Sequence, residues 1–334
     1  MAWSILRRYH SGSILVFAVW SLFILTIFAL SIGAGVRQKI ILASRLEDRD
    51  KLYVLLESAV KKTIAVLNNS EDKAGAYTAN VKMTRHNNAY RFSEIALNGK
   101  KAEVFYVDEN QKYFGVMDDE RKININKADG TILASLFQLA LDCDENEAAQ
   151  LARAVLDWRE TGETELSGFY SDEYYANLEY PYRPKDSDFE FIDELLLVKG
   201  FTEERVRRLK DFLTVYGEGK VNINTASKAV LMSLGLEEDL ARRILAARRG
   251  GDGLEATADD FIFQNTHDIG SSLYNLIEIE PQELAAISML QQGRITHTSS
   301  FFSINAAVRQ KNLANSIICI FNAADKKIEY WQEN

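Results

Sequence analysis

From Ser13 to Val36 the chain carries an uncharged apolar run behind a short basic leader, MAWSILRRYHSG. At about 1.5 Å of rise per residue the run reaches roughly 35 Å as a helix, enough to cross a bilayer core of about 30 Å. No breaker follows it. Leu52, Leu56, Ala59, Val60, Ile64 and Leu67 then recur at steps of three and four, which places one apolar stripe along a helix. The pattern predicts a single helix, membrane span in its first half and domain core in its second, ended by Asn68-Asn69-Ser70. A removed signal peptide would be shorter and would end in a break. Cleavage between Gly12 and Ser13 would remove only the leader and leave the apolar helix in place. Arg7 and Arg8 precede the run while Arg37, Lys39 and Arg45 follow it, so the positive-inside count does not decide orientation. The long acidic remainder favours a translocated C-terminal domain, since large domains cross largely regardless of charge.

Beyond the helix, Asn80–Thr84, Tyr90–Leu97, Ala102–Asp108 and Lys112–Met117 are β-branched and aromatic segments separated by turn residues. Asn98-Gly99 suits a two-residue hairpin. Phe301–Val308, Ser316–Phe321 and Lys327–Trp331 read as three more strands, with Asn322–Asp325 as the last turn. The residues between these two groups read as mainly helical. A sheet divided in this way predicts an insertion, with the outer strands rejoining as one layer.

The helical block contains an echo: Lys122-Ile-Asn-Ile-Asn-Lys-Ala128 and Lys220-Val-Asn-Ile-Asn-Thr-Ala226, each followed by a leucine-rich helix. Asn124 and Asn222 are expected in a short extended segment, and Asn126 or Asn224 as a side-chain cap on the new helix. A repeated structural cap and a binding role both fit these asparagines. The stretches 194–209 and 231–245 are similar to helix-hairpin-helix units, whose DNA-binding versions bare backbone amides at a helix start. A membrane-anchored DNA receptor is therefore the alternative function. Only Gly200 and Gly235 of the expected glycines are present, however, and Thr202 and Glu237 stand where the second would be. Acidic residues follow, and Glu203–Arg207, Glu204–Arg208, Glu238–Arg242 and Asp239–Arg243 have the spacing and order of helix-surface pairs.

A net charge of −9 also argues against general affinity for phosphate backbones, so no nucleic-acid partner is expected. The acids are concentrated between Asp157 and Tyr175 in a glycine-containing loop, where Asp157, Glu160, Glu163, Asp172 and Glu173 are candidate calcium ligands. A solvated acidic loop fits the same residues, and the spacing is not that of an EF-hand. Trp158, Tyr174, Tyr175 and Tyr182 are expected to pack beneath it. Cys143 and Cys319 can be a disulfide or two small buried hydrophobes. No phosphate-binding G-x-x-x-x-G-K-[ST] loop, nucleophile elbow or zinc-like histidine spacing occurs, so no enzymatic role is expected.

These residues together resemble the general secretion pathway protein K family, the large minor pseudopilin of type II secretion. The resemblance runs through the leader with Gly12-Ser13, D-W-R-E at 157–160, G-F-Y-S-D-E-Y-Y at 168–175, P-Y at 181–182, D-E-L-L-L-V-K-G at 193–200 and V-N-I-N-T-A at 221–226. It implies an α+β fold: a long N-terminal transmembrane helix packed on an antiparallel, pilin-like sheet, with a large, mainly α-helical inserted domain containing helix-hairpin-helix-like units. The implied divisions are a leader at 1–12, a transmembrane part at 13–36, a pilin-like domain at 37–122 and 297–334, and the insertion at 123–296. It further implies cleavage by prepilin peptidase after Gly12, methylation of Ser13, single-pass anchoring in the inner membrane and a periplasmic C-terminal domain. The implied role is to cap the pseudopilus tip as a complex with minor pseudopilins I and J, with calcium bound around the acidic segment. Gly162 and Phe169-Tyr170-Ser171 depart from the family pattern there. Phe17 and Trp20 lie in the membrane helix. Phe17 occupies the position where most pilin-like subunits carry a glutamate that meets the subunit above. A subunit at the tip has none above it.

Overall fold

The computed structural model describes residues 11–68, 92–97, 99–108, 111–160, 172–253, 259–310 and 313–334. The expected strand at Asn80–Thr84 lies outside them. The chain divides between Val54 and Leu55 into two compact units. Helix α1, Ser11–Asn68, begins in the first and ends in the second, stopping at the asparagine that opens the predicted turn. In the first unit its apolar side chains from Ile14 to Val36 are exposed, as a lipid-facing surface would be. In the second unit Leu55, Leu56, Ala59, Val60 and Leu67 are buried. Thr63, also buried, returns its hydroxyl hydrogen to Ala59 O at 2.8 Å, which satisfies it within the helix.

Four short strands follow: β1 (Ile95–Leu97), β2 (Lys100–Asp108), β3 (Gln111–Phe114) and β4 (Met117–Asp118). The segment read as a strand over Tyr90–Leu97 is extended only in its last three residues, since Phe92 and Ser93 are helical. The inserted block then runs β5 (Ile123–Asn124), α2 (Gly130–Leu141), α3 (Glu145–Arg159), α4 (Asp172–Ala176), a 3-10 turn at Ile192–Leu197, α5 (Glu203–Leu209) and β6 (Leu213–Thr214). It continues with β7 (Val221–Asn222), α6 (Lys228–Ser233), α7 (Glu238–Arg248), α8 (Ile269–Leu276), α9 (Pro281–Gln291) and β8 (Ile295–Thr296). Three long strands close the chain: β9 (Phe301–Gln310), β10 (Leu313–Asn322) and β11 (Lys327–Glu333).

The main sheet is antiparallel in the order β1-β2-β9-β10-β11, with β3 on β2 and β4 on β9. Strands from before and after the insertion therefore alternate in one layer. Its buried face follows the period of two that a half-covered sheet requires: Ala102 and Val104, then Phe302, Ile304, Ala306 and Val308, then Ile317, Cys319 and Phe321. With the buried residues of α1 they form the pilin-like core of the second unit. The Asn322 side chain closes the last turn, its Oδ1 accepting from Ala324 N at 3.0 Å and Asp325 N at 3.2 Å. A separate apolar core, with Leu133, Leu136, Phe137, Val155, Leu209, Val230 and Ile244 among its members, fills the helical block.

Candidate functional site

The helical block is built twice on one plan. In the first copy β5 pairs in parallel with β6, and in the second β7 pairs in parallel with β8. Each copy is thus closed by joining its first residues to its last. Asn124 and Asn222 each accept a hydrogen bond from the amide two residues ahead, at 2.9 and 3.0 Å, forming the turn out of the strand. Asn126 donates to Phe189 O and accepts from Phe189 N; Asn224 does the same with Phe263. Arg159 donates to Ile125 O and Ala128 O, and Arg248 to Ile223 O and Ala226 O. Each arginine carries two carbonyls that the turn leaves without strand or helix partners, which is why both are largely buried.

The expected helix caps are elsewhere. Asp129 caps α2 by accepting from Ile132 N at 3.0 Å, and Ser227 caps α6 by accepting from Val230 N at 3.4 Å. Asn126 and Asn224 instead bridge to a strand-like backbone far along the chain. An asparagine two residues after another is already committed to the turn, so the next cap-forming residue takes over the helix start.

The two helix-hairpin-helix stretches keep left-handed glycines, Gly200 at φ +90° and Gly235 at φ +99°. Thr202 caps α5, and Glu203 and Glu204 fill its first turn; Glu238 and Asp239 do so in α7. Carboxylates thus occupy the helix starts where a phosphate would sit. Arg243 pairs with Asp239 at 2.8 Å, as the spacing implied, and also with Glu283. Arg242 pairs with Asp239, while Glu238 turns to Lys228 at 2.9 Å. Among the described residues the Glu203–Arg207 and Glu204–Arg208 pairs are not formed.

Asp157 lies in the last turn of α3 and Glu160 is its C-terminal cap residue, 3.7 Å from Arg159. Asp172 and Glu173 open α4, Glu173 exposed to solvent. Glu163 lies outside the described residues. Among the described residues no three potential ligands are close enough to hold a metal ion. The aromatic residues do cluster there: Trp158 meets Tyr175 and Tyr182 at 5.6 and 6.2 Å between ring centres, and Tyr174 meets Tyr175 at 5.2 Å. Cys143 and Cys319 are both unpaired thiols, and burial pushes Cys319 up to about 12.

Gly12 and Ser13 fall in the first turn of α1. Phe17 and Trp20 are 75% and 61% exposed, with Trp20 edge-on to Phe23 at 6.1 Å. Among the described residues α1 is the one helix long and apolar enough to cross a bilayer.

A cluster with no place in the sequence reading joins sheet to block. Asp118, Asp119 and Glu120 are all buried where β4 leaves the sheet. Asp118 accepts from Asn222 Nδ2 at 2.9 Å and from the Thr225 hydroxyl; Asp119 accepts from the Thr214 hydroxyl and pairs with Lys122 at 2.9 Å. Glu120 accepts from Ser300 N and its carbonyl receives Asn222 N. Both copies of the repeat and the returning chain thus meet on three consecutive acids. Burial pushes Asp118 up and carries Glu120 to about 7, the latter helped by Asp118 and Glu218. Three adjacent carboxylates immediately before the first Asn-x-Asn motif were the available signal.

An apolar span continuous with a domain helix, a pilin-like sheet beyond it and a helical block seated in one sheet connection define a pilin-like subunit with an inserted domain. Two family profiles, both described as Type II secretion system (T2SS), protein K, match residues 112–218 and 221–270. The chain belongs to the type II secretion system protein K family. The profiles meet between the two copies of the repeat. The chain is 32% identical over 117 residues to the type II secretion system protein K of Aeromonas hydrophila, a stretch covering 32% of this chain and 35% of that protein. The match spans about a third of that relative's length. One chain in the crystal structure of the GspK-GspI-GspJ complex from the enterotoxigenic Escherichia coli type 2 secretion system has the same fold. It superposes with a TM-score of 0.59 at 13% identity, over 87% of this chain and 99% of that one. As a family member, the chain is a structural subunit rather than an enzyme.

Proposed function

We propose that this protein is the minor pseudopilin at the tip of a type II secretion pseudopilus, capping the fibre and helping its assembly begin. The carrying observation is that one helix, α1, supplies both an uncovered apolar surface at Ile14–Val36 and core residues at Leu55–Leu67. Such a helix can lodge in the inner membrane before assembly and bundle with partner helices after it. The soluble part then lies in the periplasm. The helical block adds bulk that would oppose the addition of another subunit above it. Phe17 agrees with that place, because a lone membrane carboxylate with no partner would be costly. The partners of this reading are pseudopilins of the I and J types, in keeping with the complex named for the structural neighbour.

The test is co-purification of the full chain with the two candidate partners in detergent, with and without calcium. A stoichiometric three-component complex is expected; its absence in both conditions would sink the tip assignment. Calcium at the acidic segment is part of the proposal, with Asp157, Glu160 and Glu173 contributing alongside Glu163 and Asp172. Chelation is then expected to weaken the complex, and an equal yield after chelation removes calcium from the reading.

Processing by prepilin peptidase between Gly12 and Ser13, with methylation of the new amine, completes the proposal. Mass spectrometry of the mature chain is expected to find a methylated N-terminal Ser13. A mature chain beginning beyond Gly35 would mean that the membrane helix is discarded.

A further inference from the structure

We propose that the Asp118–Asp119–Glu120 cluster is a proton-operated latch that sets how tightly the helical block is held to the sheet. The argument is geometric first. The chain enters the block after Asp118 and returns at Phe301, and these two crossings lie side by side: Asp119 N donates to Phe301 O at 3.0 Å. Through the three carboxyls the sheet grips Thr214 at the end of the first repeat, Asn222 and Thr225 at the start of the second, and Ser300 on the return. Tyr216 stacks on Phe301 at 5.8 Å over the same corner. Glu120 fits under a left-handed turn, since a Cβ at Gly217 would stand 2.6 Å from its Oε1. A charge placed there has little room to rearrange.

The charged groups facing Glu120 make ionisation unfavourable. Asp118 on β4 and Glu218 on the loop after β6 both raise its affinity for a proton. The Ser300 and Phe301 amides favour the anion, but burial outweighs them. Asp119 has its own cation in Lys122 and its own donor in Thr214, and Arg121 bears on Asp118. Desolvation likewise pushes Tyr216 up to about 12, so its hydroxyl keeps its proton. Glu120 is thus the member of the cluster whose charge changes near neutrality.

The sign follows from proton binding. Glu120 holds a proton to about 7 when folded against a usual value of 4.5, so the folded junction binds more protons than the opened one. Its contribution is fully present below 4.5 and is lost as pH rises through about 7. If opening exposes Glu120, the opening constant rises about tenfold between about pH 6 and about pH 8, and levels off above that.

Hydrogen–deuterium exchange of the full chain in detergent micelles, corrected for the intrinsic pH dependence of exchange, reads this directly. Peptides covering residues 212–224 and 296–303 are expected to lose about tenfold in protection over that interval. Peptides within α2 are expected to keep theirs. Glu120→Gln retains an oxygen for Ser300 N–H and has no proton to release, so its junction is expected to vary less than about twofold over the same interval. An unchanged wild-type junction, or an equal loss in Glu120→Gln, overturns the latch. Should the variant not fold, the wild-type profile decides: a loss that levels off above neutrality supports the latch, and one that continues to grow through alkaline pH overturns it.

Discussion

Asn222→Ala is expected to destabilise the helical block by about 3 kcal/mol, nearly twice the cost of Asn124→Ala. The two asparagines are equivalent in the repeat and each makes three hydrogen bonds, so the difference isolates their surroundings. Asn124 donates to the neutral carbonyls of Tyr216 and Gly217, both at 2.9 Å. Asn222 donates to Ser299 Oγ at 3.2 Å and to the fully buried Asp118 carboxyl. Truncating Asn222 leaves an acid in the interior without one of its donors, which costs more than a lost neutral bond. Urea unfolding of the full-length variants, followed by tryptophan fluorescence, measures both. Equal losses would show that the acid corner gives Asn222 no special weight.

Gly217→Ala is the second large effect, at about 3 kcal/mol. Gly217 has φ +85°, where an alanine loses roughly 1–2 kcal/mol to its own backbone. Its Cβ would also press on Glu120, 2.6 Å from Oε1 and 2.9 Å from Cγ, adding about 1–3 kcal/mol for a displaced, well-packed side chain. Gly235 offers the control. It has φ +99° with nothing within 4 Å of an added Cβ, so Gly235→Ala should lose the backbone cost alone. If both substitutions cost the same in urea unfolding, the close approach to Glu120 carries no energy.

The elements with local signatures were legible. The membrane run, the apolar stripe ending at Asn68 and the outer strands each follow from periodicity, and the alternation of Phe302, Ile304, Ala306 and Val308 is as regular as a strand pattern becomes. The repeated Lys-x-Asn-Ile-Asn-x-Ala motif announced the duplication. Its closing partners did not announce themselves. Phe189 and Phe263 supply only backbone to Asn126 and Asn224, and a backbone partner leaves no residue signature. Helix α2 ends on Asp142 in the left-handed region, at φ 55°, so one helical turn carries no glycine to mark it. The acid corner was hidden for another reason. Asp118, Asp119 and Glu120 look like a solvated turn, and only the donors arriving from Thr214, Asn222, Thr225 and Ser300 make them an interior. The calcium candidates were named from composition, and Glu163 among them lies outside the described residues.

The whole inserted block stands in for a hairpin turn, because Met117 and Asp118 pair directly with Ser303 and Phe302. A pull on the block therefore drags two neighbouring strands the same way, and the bonds between that pair resist little. The strain passes sideways into the β9–β10 ladder, ten register pairs from Gln310 to Phe301 loaded in shear. Mechanical toughness at this corner is thus set by a ladder the block never touches.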